Sequence, residues 1–340
     1  AELYVNGLLS ADGMLTVLEA FLERDSIRNP PRQLREHFGI FNLDEMAEQD
    51  VVRQFRFSKR DLPELLRNLA IPPSVHTGGP NGYRVPGMTA LCILLRRLAY
   101  PNRLSDLERE FGISKSALSA ITNWTTNFII QEKGHLLTDL GRISWLNTGK
   151  LATYAEAVAS RGAPLTTCWA FIGSTARRMC RPEEDQGHNF SRHKRFHALK
   201  YQSIATPDGL IINLQGPYQG RLRDAAFWTG NDVQDQVRRL CVTPARSFVM
   251  YGDSSYPISD ILITPYPSKT QVPRQLLFNR AMSKVRIAVE WGFGKVLQQF
   301  PFVDHSKNQK LQLQDLGGMY SVAVLLTNCH TCLYGSQTSE

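Results

Sequence analysis

Acidic residues are the scarce charge in this sequence. Across 340 residues there are 31 Asp and Glu against 39 Lys and Arg, a formal net charge of +8. That balance excludes an acidic solvating chain and suits a polyanionic partner, although a positive surface also serves solubility alone. The scarcity is also local: no Asp or Glu falls between Ala163 and Pro182. Cysteine is sparse too. Six in a chain of this length exclude a disulfide framework. Cys92, Cys168 and Cys180 stand among apolar neighbours and read as buried thiols. The Cys329-His330-Thr331-Cys332 motif has no second pair at finger spacing, which argues against zinc. A reducing compartment, cytoplasm or nucleus, is the expectation. No apolar run has the length of a membrane span, and no signal peptide is visible. There is no internal repeat and no low-complexity tract. The 42% hydrophobic content is that of a globular chain with room for one to three domains.

Residues 1–54 read as a helical arm, with helical periodicity over Leu8–Glu23 stopped by Asn29-Pro30-Pro31. Ser58 stands where it can cap a helix whose apolar stripe is Leu62, Leu65, Leu66 and Leu69, ended by Pro72-Pro73. Thr77–Tyr83 is a glycine-rich link. Val85–Tyr100 is an apolar helix broken by Pro101-Asn102. Then comes RLSDLEREFGISKSALSAITNW, residues 103–124. Leu104, Leu107 and Phe111 mark a short helix. Gly112-Ile113 makes a turn, Ser114 caps a second helix, and Ile113, Leu118 and Ile121 face inward. This is helix-turn-helix spacing. The outer face would show Lys115, Ser116, Ser119, Thr122 and Asn123, donors suited to phosphates and base edges. A plain helical hairpin packed on its neighbours has the same apolar spacing. Residues 55–160 are thus read as an all-helical domain, its last helix passing through Ala155–Ser160.

From Thr166 the periodicity becomes that of strands. Thr167–Ile172, Leu199–Ala205 and Leu210–Leu214 are expected strands, the last two joined by the turn Thr206-Pro207-Asp208-Gly209. Gly216–Gly220 is expected as loop and Asp224–Leu240 as one helix. Ser247–Tyr251 and Ile261–Thr264 are further strands. Pro273–Gln299 is a long helix, and Leu313–Cys329 a final apolar one. Three strands, a helix, two strands and a long helix give an α/β fold: an RNase H-like mixed sheet over 166–335, behind the helical domain. Asp253 ends the apolar run Phe248-Val249-Met250, at a strand tip where open sheets place their chemistry. Arg286 and Glu290 are four apart and share one face of the long helix, while Val285, Val289 and Phe293 lie on another. Acids from a strand tip and a facing helix can hold Mg²⁺ or Mn²⁺. A surface ion pair is the simpler account of Arg286 and Glu290 taken alone.

Several stretches in order carry a resemblance. They are LLRRLAYPNRLSDLEREFGISKSALSAI, CWAFIGSTARRMCRP, FSRHKRFHALKYQSIATPDGLI, GPYQGRLRDAAFW, YGDSSYP, the Arg286–Glu290 helix and LLTNCHTCLYG. The chain resembles the PIF/Harbinger transposase-derived nucleases, a branch of the DDE superfamily endonucleases. The resemblance implies a metal-dependent DNA nuclease ancestor using Mg²⁺ or Mn²⁺, a nuclear setting and DNA as partner. A Myb-like DNA-binding protein and a homo-oligomer on DNA are further implied. Of the family's three acids, the fourth-strand Asp maps onto Asp253 and the late-helix Glu onto Glu290, with Arg286 supporting and Lys295 a further candidate. The first-strand Asp is expected in a Phe-Ile-Asp-Gly-Thr-like stretch. Here the residues are Phe171-Ile172-Gly173-Ser174-Thr175, so Gly173 stands in its place. That acid bridges both ions in two-metal cleavage, so the reaction is expected to be severely impaired. The alternative is a domesticated, non-cutting DNA-binding protein or a chromatin or transcription adaptor. Asp224, where the family often has His before the Asp, reads by default as a helix N-cap. Arg192, His193, Lys194 and Arg195 are candidate DNA-backbone contacts.

Overall fold

The computed structural model describes residues 41–335, apart from 79–81, 184, 193, 231, 243–246 and 311–313, and apart from the side chains of 288, 289 and 308. The expected helix over Leu8–Glu23 and the inward face assigned to Val289 lie outside the described residues.

The helical part begins with α1 (Glu48–Phe55) and α2 (Leu62–Asn68). The two short strands β1 (Ser74–His76) and β2 (Arg84–Pro86) pair antiparallel. They are followed by α3 (Gly87–Ala99), α4 (Leu104–Phe111) and α5 (Lys115–Lys133), then α6 (His135–Thr138) and α7 (Thr148–Ser160). Ser58 does not cap α2. Asp61 holds the N-cap position and accepts the Ser58 hydroxyl at 2.5 Å. Val85 belongs to β2 and not to the helix after it, because its strand pairs with β1 through Val75. Gly112 has φ 67, the left-handed turn between α4 and α5 that a Cβ would resist. Ser114 caps α5 by accepting from the Ala117 N–H at 3.3 Å.

The remaining chain builds a mixed sheet: β3 (Cys168–Arg178), then α8 (Gln186–Asn189), β4 (Phe190–Ser191), β5 (Phe196–Ala205) and β6 (Ile211–Gln219). Helices α9 (Asp224–Thr229) and α10 (Val233–Cys241) follow, then β7 (Val249–Tyr251), β8 (Leu262–Ile263), α11 (Pro273–Gln299) and α12 (Leu316–Tyr334). Main strands run in the order β6-β5-β3-β7-β8, with β4 also on β5. β5 runs antiparallel to both of its neighbours, β3 and β6, while β7 and β8 run parallel to β3. Gly209, at φ 84, closes the β5–β6 hairpin.

Four further elements differ from expectation, and the first is β3, which runs six residues past the expected Ile172 because residues 173–178 pair with β5. Gly216–Gly220 is not a loop: β6 continues through it to Gln219, pairing Tyr218 with Lys200. Pro217 is tolerated because a register shift interrupts the ladder there and nothing is asked of its missing N–H. The single helix expected over Asp224–Leu240 is two, because Gly230 ends the first after Thr229. The final helix is offset, starting at Leu316 and reaching Tyr334, with Asp315 capping it through the Gly318 N–H at 2.8 Å.

α11 and α12 bind the sheet to the helical part. Apolar residues of both, including Leu94, Leu118, Phe171, Val296 and Leu326, form one buried cluster. Arg56 reaches across it, donating to the Gln299 carbonyl at 3.0 Å and the Ala99 carbonyl at 3.1 Å. The opposite face of the sheet packs Trp169, Ile172, Ile204 and Met250 against α7, α9 and α10 through Tyr154, Trp228 and Val237. The sheet is therefore covered on both sides, and its free chemistry is at its ends.

Candidate active site at the sheet tip

β7 is short because its core-facing run is short. Val249, Met250 and Tyr251 are buried between two apolar layers, and then Gly252 turns the chain. A Cβ on Gly252 would stand 2.9 Å from the Ile172 side chain and 3.0 Å from Tyr256, so the residue before Asp253 must be small. Asp253 leaves this turn half-buried. Its carboxylate accepts the Ser255 N–H at 2.8 Å and also the Ser255 hydroxyl.

That hydroxyl also lies 3.2 Å from Asp224 Oδ2. Asp224 is the first residue of α9, but it is not a cap. Arg223 holds the N-cap position, and the Asp224 carboxylate turns into the sheet instead. It meets the Lys200 ammonium at 3.4 Å, and Lys200 also donates to the Leu222 carbonyl at 2.8 Å. Asp224, Ser255 and Asp253 thus form one polar chain across the tip. Tyr256 packs beneath it, 4% exposed, with a hydroxyl that has no hydrogen-bond partner among the described contacts. Burial, then the negative charges of Asp224 and Asp253, push its phenol upward against the opposing pull of Arg286. Burial likewise pushes Tyr251 up to about 12, again opposed by Arg286. The Arg286 guanidinium therefore bears on both tyrosines under the tip.

Glu290 is on the same helix, but its carboxylate is 57% exposed and accepts from Arg286 at 2.8 Å. The ion pair is formed as the i, i+4 spacing requires. Asn279, two turns earlier, fixes the connector into α11 by pairing with the Tyr266 backbone at 2.9 and 3.0 Å. Lys295 is not part of the tip. It donates to the Thr331 hydroxyl and the Gly335 carbonyl, both at 2.9 Å, and so ties α11 to the end of α12.

Gly173 is buried in β3. Phe171 pairs with Tyr251, and two residues beyond that pair on each strand are Gly173 and Asp253. Residue 173 shares Phe171's face of the sheet, the face covered by α11. A carboxylate here would stand between Asp253 and the long helix, and glycine supplies none. Among the described residues no three His, Cys, Asp or Glu side chains converge as a metal set. Asp253 and Asp224 are joined through Ser255, Asp224 is neutralised by Lys200, and Glu290 is committed to Arg286. This donor set does not fit a pair of carboxylate-bridged divalent ions.

The outer residues divide. Lys115, Ser116 and Asn123 are exposed on α5 and Ser119 is half-exposed. The Lys115 backbone N–H also holds Glu108 at 3.0 Å. Thr122 does not face outward. It is 3% exposed and its hydroxyl donates to the Leu118 carbonyl at 2.7 Å, because α5 packs against neighbouring helices on more than one side. Arg192, Lys194 and Arg195 are exposed on the turn between β4 and β5, with Arg195 at φ 58. His193 lies outside the described residues. Because β5 enters antiparallel to β3, this turn is at the same end of the sheet as Asp253.

The residue that sequence reasoning undervalued is Asp224. Helix-start carboxylates are usually caps. The available signal was that its stretch, GPYQGRLRDAAFW, ran in order with YGDSSYP.

Residues 172–328 match the model of a family described as DDE superfamily endonuclease. No curated protein and no solved structure matches the chain. The matched span runs from β3 into α12 and takes in Gly173, Asp224, Asp253 and Glu290.

Proposed function

We propose that this chain is a transposase-derived DNA-binding protein that has kept the frame of a DDE nuclease and lost its cutting. The finer kinship is to the PIF/Harbinger branch, and the sheet is RNase H-like. The strand order β6-β5-β3-β7-β8, with β5 alone running against the other four, supports that reading. One observation carries the loss of cutting: Gly173 occupies the place beside Asp253 where the family's bridging carboxylate belongs. Two-metal hydrolysis needs that acid to hold an ion for the attacking water and an ion for the leaving oxygen.

DNA remains the partner in this reading. The net charge of +8, the exposed Lys115, Ser116 and Asn123 on α5, and Arg192, Lys194 and Arg195 at the Asp253 end of the sheet support it. A nuclear setting, association with a Myb-like protein and an oligomer on DNA belong to the same proposal. The test is a nicking assay on supercoiled plasmid with purified protein and Mn²⁺. The expected result is no cleavage above background, together with salt-dependent retention of the plasmid. Robust nicking that Asp253→Ala abolishes would overturn the loss of cutting. Absence of DNA retention with stable capture of a Myb-like partner would move the reading to an adaptor.

A further inference from the structure

On the α11 side of the sheet lies a groove of about 240 Å³ between the end of α7, the β5–β6 turn and the middle of α11. Phe171, Val285, Ile287 and Trp291 are among its apolar lining, and Arg161 and Lys284 are its cations. Lys284, Ile287 and Trp291 recur at helical spacing and share one face of α11. Trp291 is 53% exposed and Ile287 45%, a large apolar area left in water beside two positive charges.

We propose that this groove takes one unpaired base of a DNA strand, stacked on Trp291, with Lys284 and Arg161 meeting the phosphates on either side. The inference rests on the DNA-binding reading above and adds to it a preference for single-stranded or unpaired DNA. The volume falls below the roughly 300–1,000 Å³ of sites for drug-sized ligands and suits a single planar ring. Aromatic stacking with a cationic rim is how unpaired strands are held without sequence preference. A second copy of the same face is disfavoured, because it would set Lys284 and Arg161 against their own charges. Phe171 joins the groove to the sheet, since it lines the groove and pairs with Tyr251 on β7.

The experiment is fluorescence anisotropy with the full chain. The probes are a labelled single-stranded oligonucleotide, its duplex, and the same single strand with abasic positions. Wild type is expected to prefer the intact single strand over the abasic one. Trp291→Ala should weaken single-strand binding roughly tenfold, the size of one base–aromatic stack. It should leave duplex binding and the thermal unfolding midpoint nearly unchanged. Trp291→Phe should keep most of the affinity. Lys284→Ala should weaken all probes alike and lower the slope of log affinity against log salt by about 0.7 to 0.9. Equal binding by Trp291→Ala and wild type, or equal binding of intact and abasic strands, overturns the proposal while leaving duplex binding to stand. If no probe binds at all, both the proposal and the DNA reading fall. A change of oligomeric state in Trp291→Ala by light scattering would assign the groove to a second copy and also overturn it.

Discussion

Two parallel strands, β3 and β7, end their buried runs at the same level and part company there. On β7 the tip carries Asp253, held by the Ser255 backbone and hydroxyl and linked through that hydroxyl to Asp224. On β3 the same level carries Gly173, which offers no side chain. Below that level the strands are alike: Trp169 and Phe171 on one, Phe248 and Tyr251 on the other, all at most 1% exposed. Both strands pack alike, and only one carries a carboxylate at this level. A buried apolar pair supports the fold whether or not anything is catalysed above it. A carboxylate beside other carboxylates has no such structural reward, because without a cation it adds repulsion.

The largest expected effect breaks the common part. Phe171→Ala empties a buried site under both tips and against α11, and should cost about 3–5 kcal/mol in urea unfolding. A loss below about 1 kcal/mol would mean that the pair with Tyr251 does not support the tip as described.

Gly173→Asp sharpens the difference between the strands. In the absence of divalent cations the variant should melt lower than wild type, since a third carboxylate enters a buried position near Asp253 and Asp224. Mn²⁺ should then raise its midpoint by several degrees and leave wild type nearly unmoved. Binding at a hundredfold excess over Kd contributes about 2.7 kcal/mol. Differential scanning fluorimetry with and without Mn²⁺ reads this directly. Equal shifts for the two proteins would show that residue 173 is not the missing ligand position.

The difference between the tips also explains what could be read from the sequence. Apolar periodicity marked the buried part of every main strand and both ends of α11, because burial on two faces leaves long apolar runs. The start of β5 and the ends of β3 and β6 were not legible. Gly216 and Pro217 look like loop residues, and only the partner strand makes them sheet. Asp253 was marked by its place after an apolar run, and Gly173 only through the family resemblance. The Asp224 role was not, because a helix-start Asp has the same local pattern whether its carboxylate caps its own helix or turns away to Lys200. Thr122 failed for a related reason. Position on an amphipathic helix gives one inward face, and α5 has neighbours on several sides.

The smallest effects separate the two acids that sequence order had placed together, Asp253 and Glu290. Ser255→Ala removes the hydroxyl between Asp224 and Asp253 and brings the two carboxylates into direct opposition, with Lys200 on one side alone. The expected loss is about 1 kcal/mol, diminishing in high salt as the repulsion is screened. Glu290→Gln breaks only an exposed ion pair one turn from Arg286, so its cost should stay within a few tenths of a kcal/mol. Paired denaturation curves at low and high salt distinguish the two. A Glu290→Gln loss equal to that of Ser255→Ala would tie Glu290 into the tip beyond its pair with Arg286.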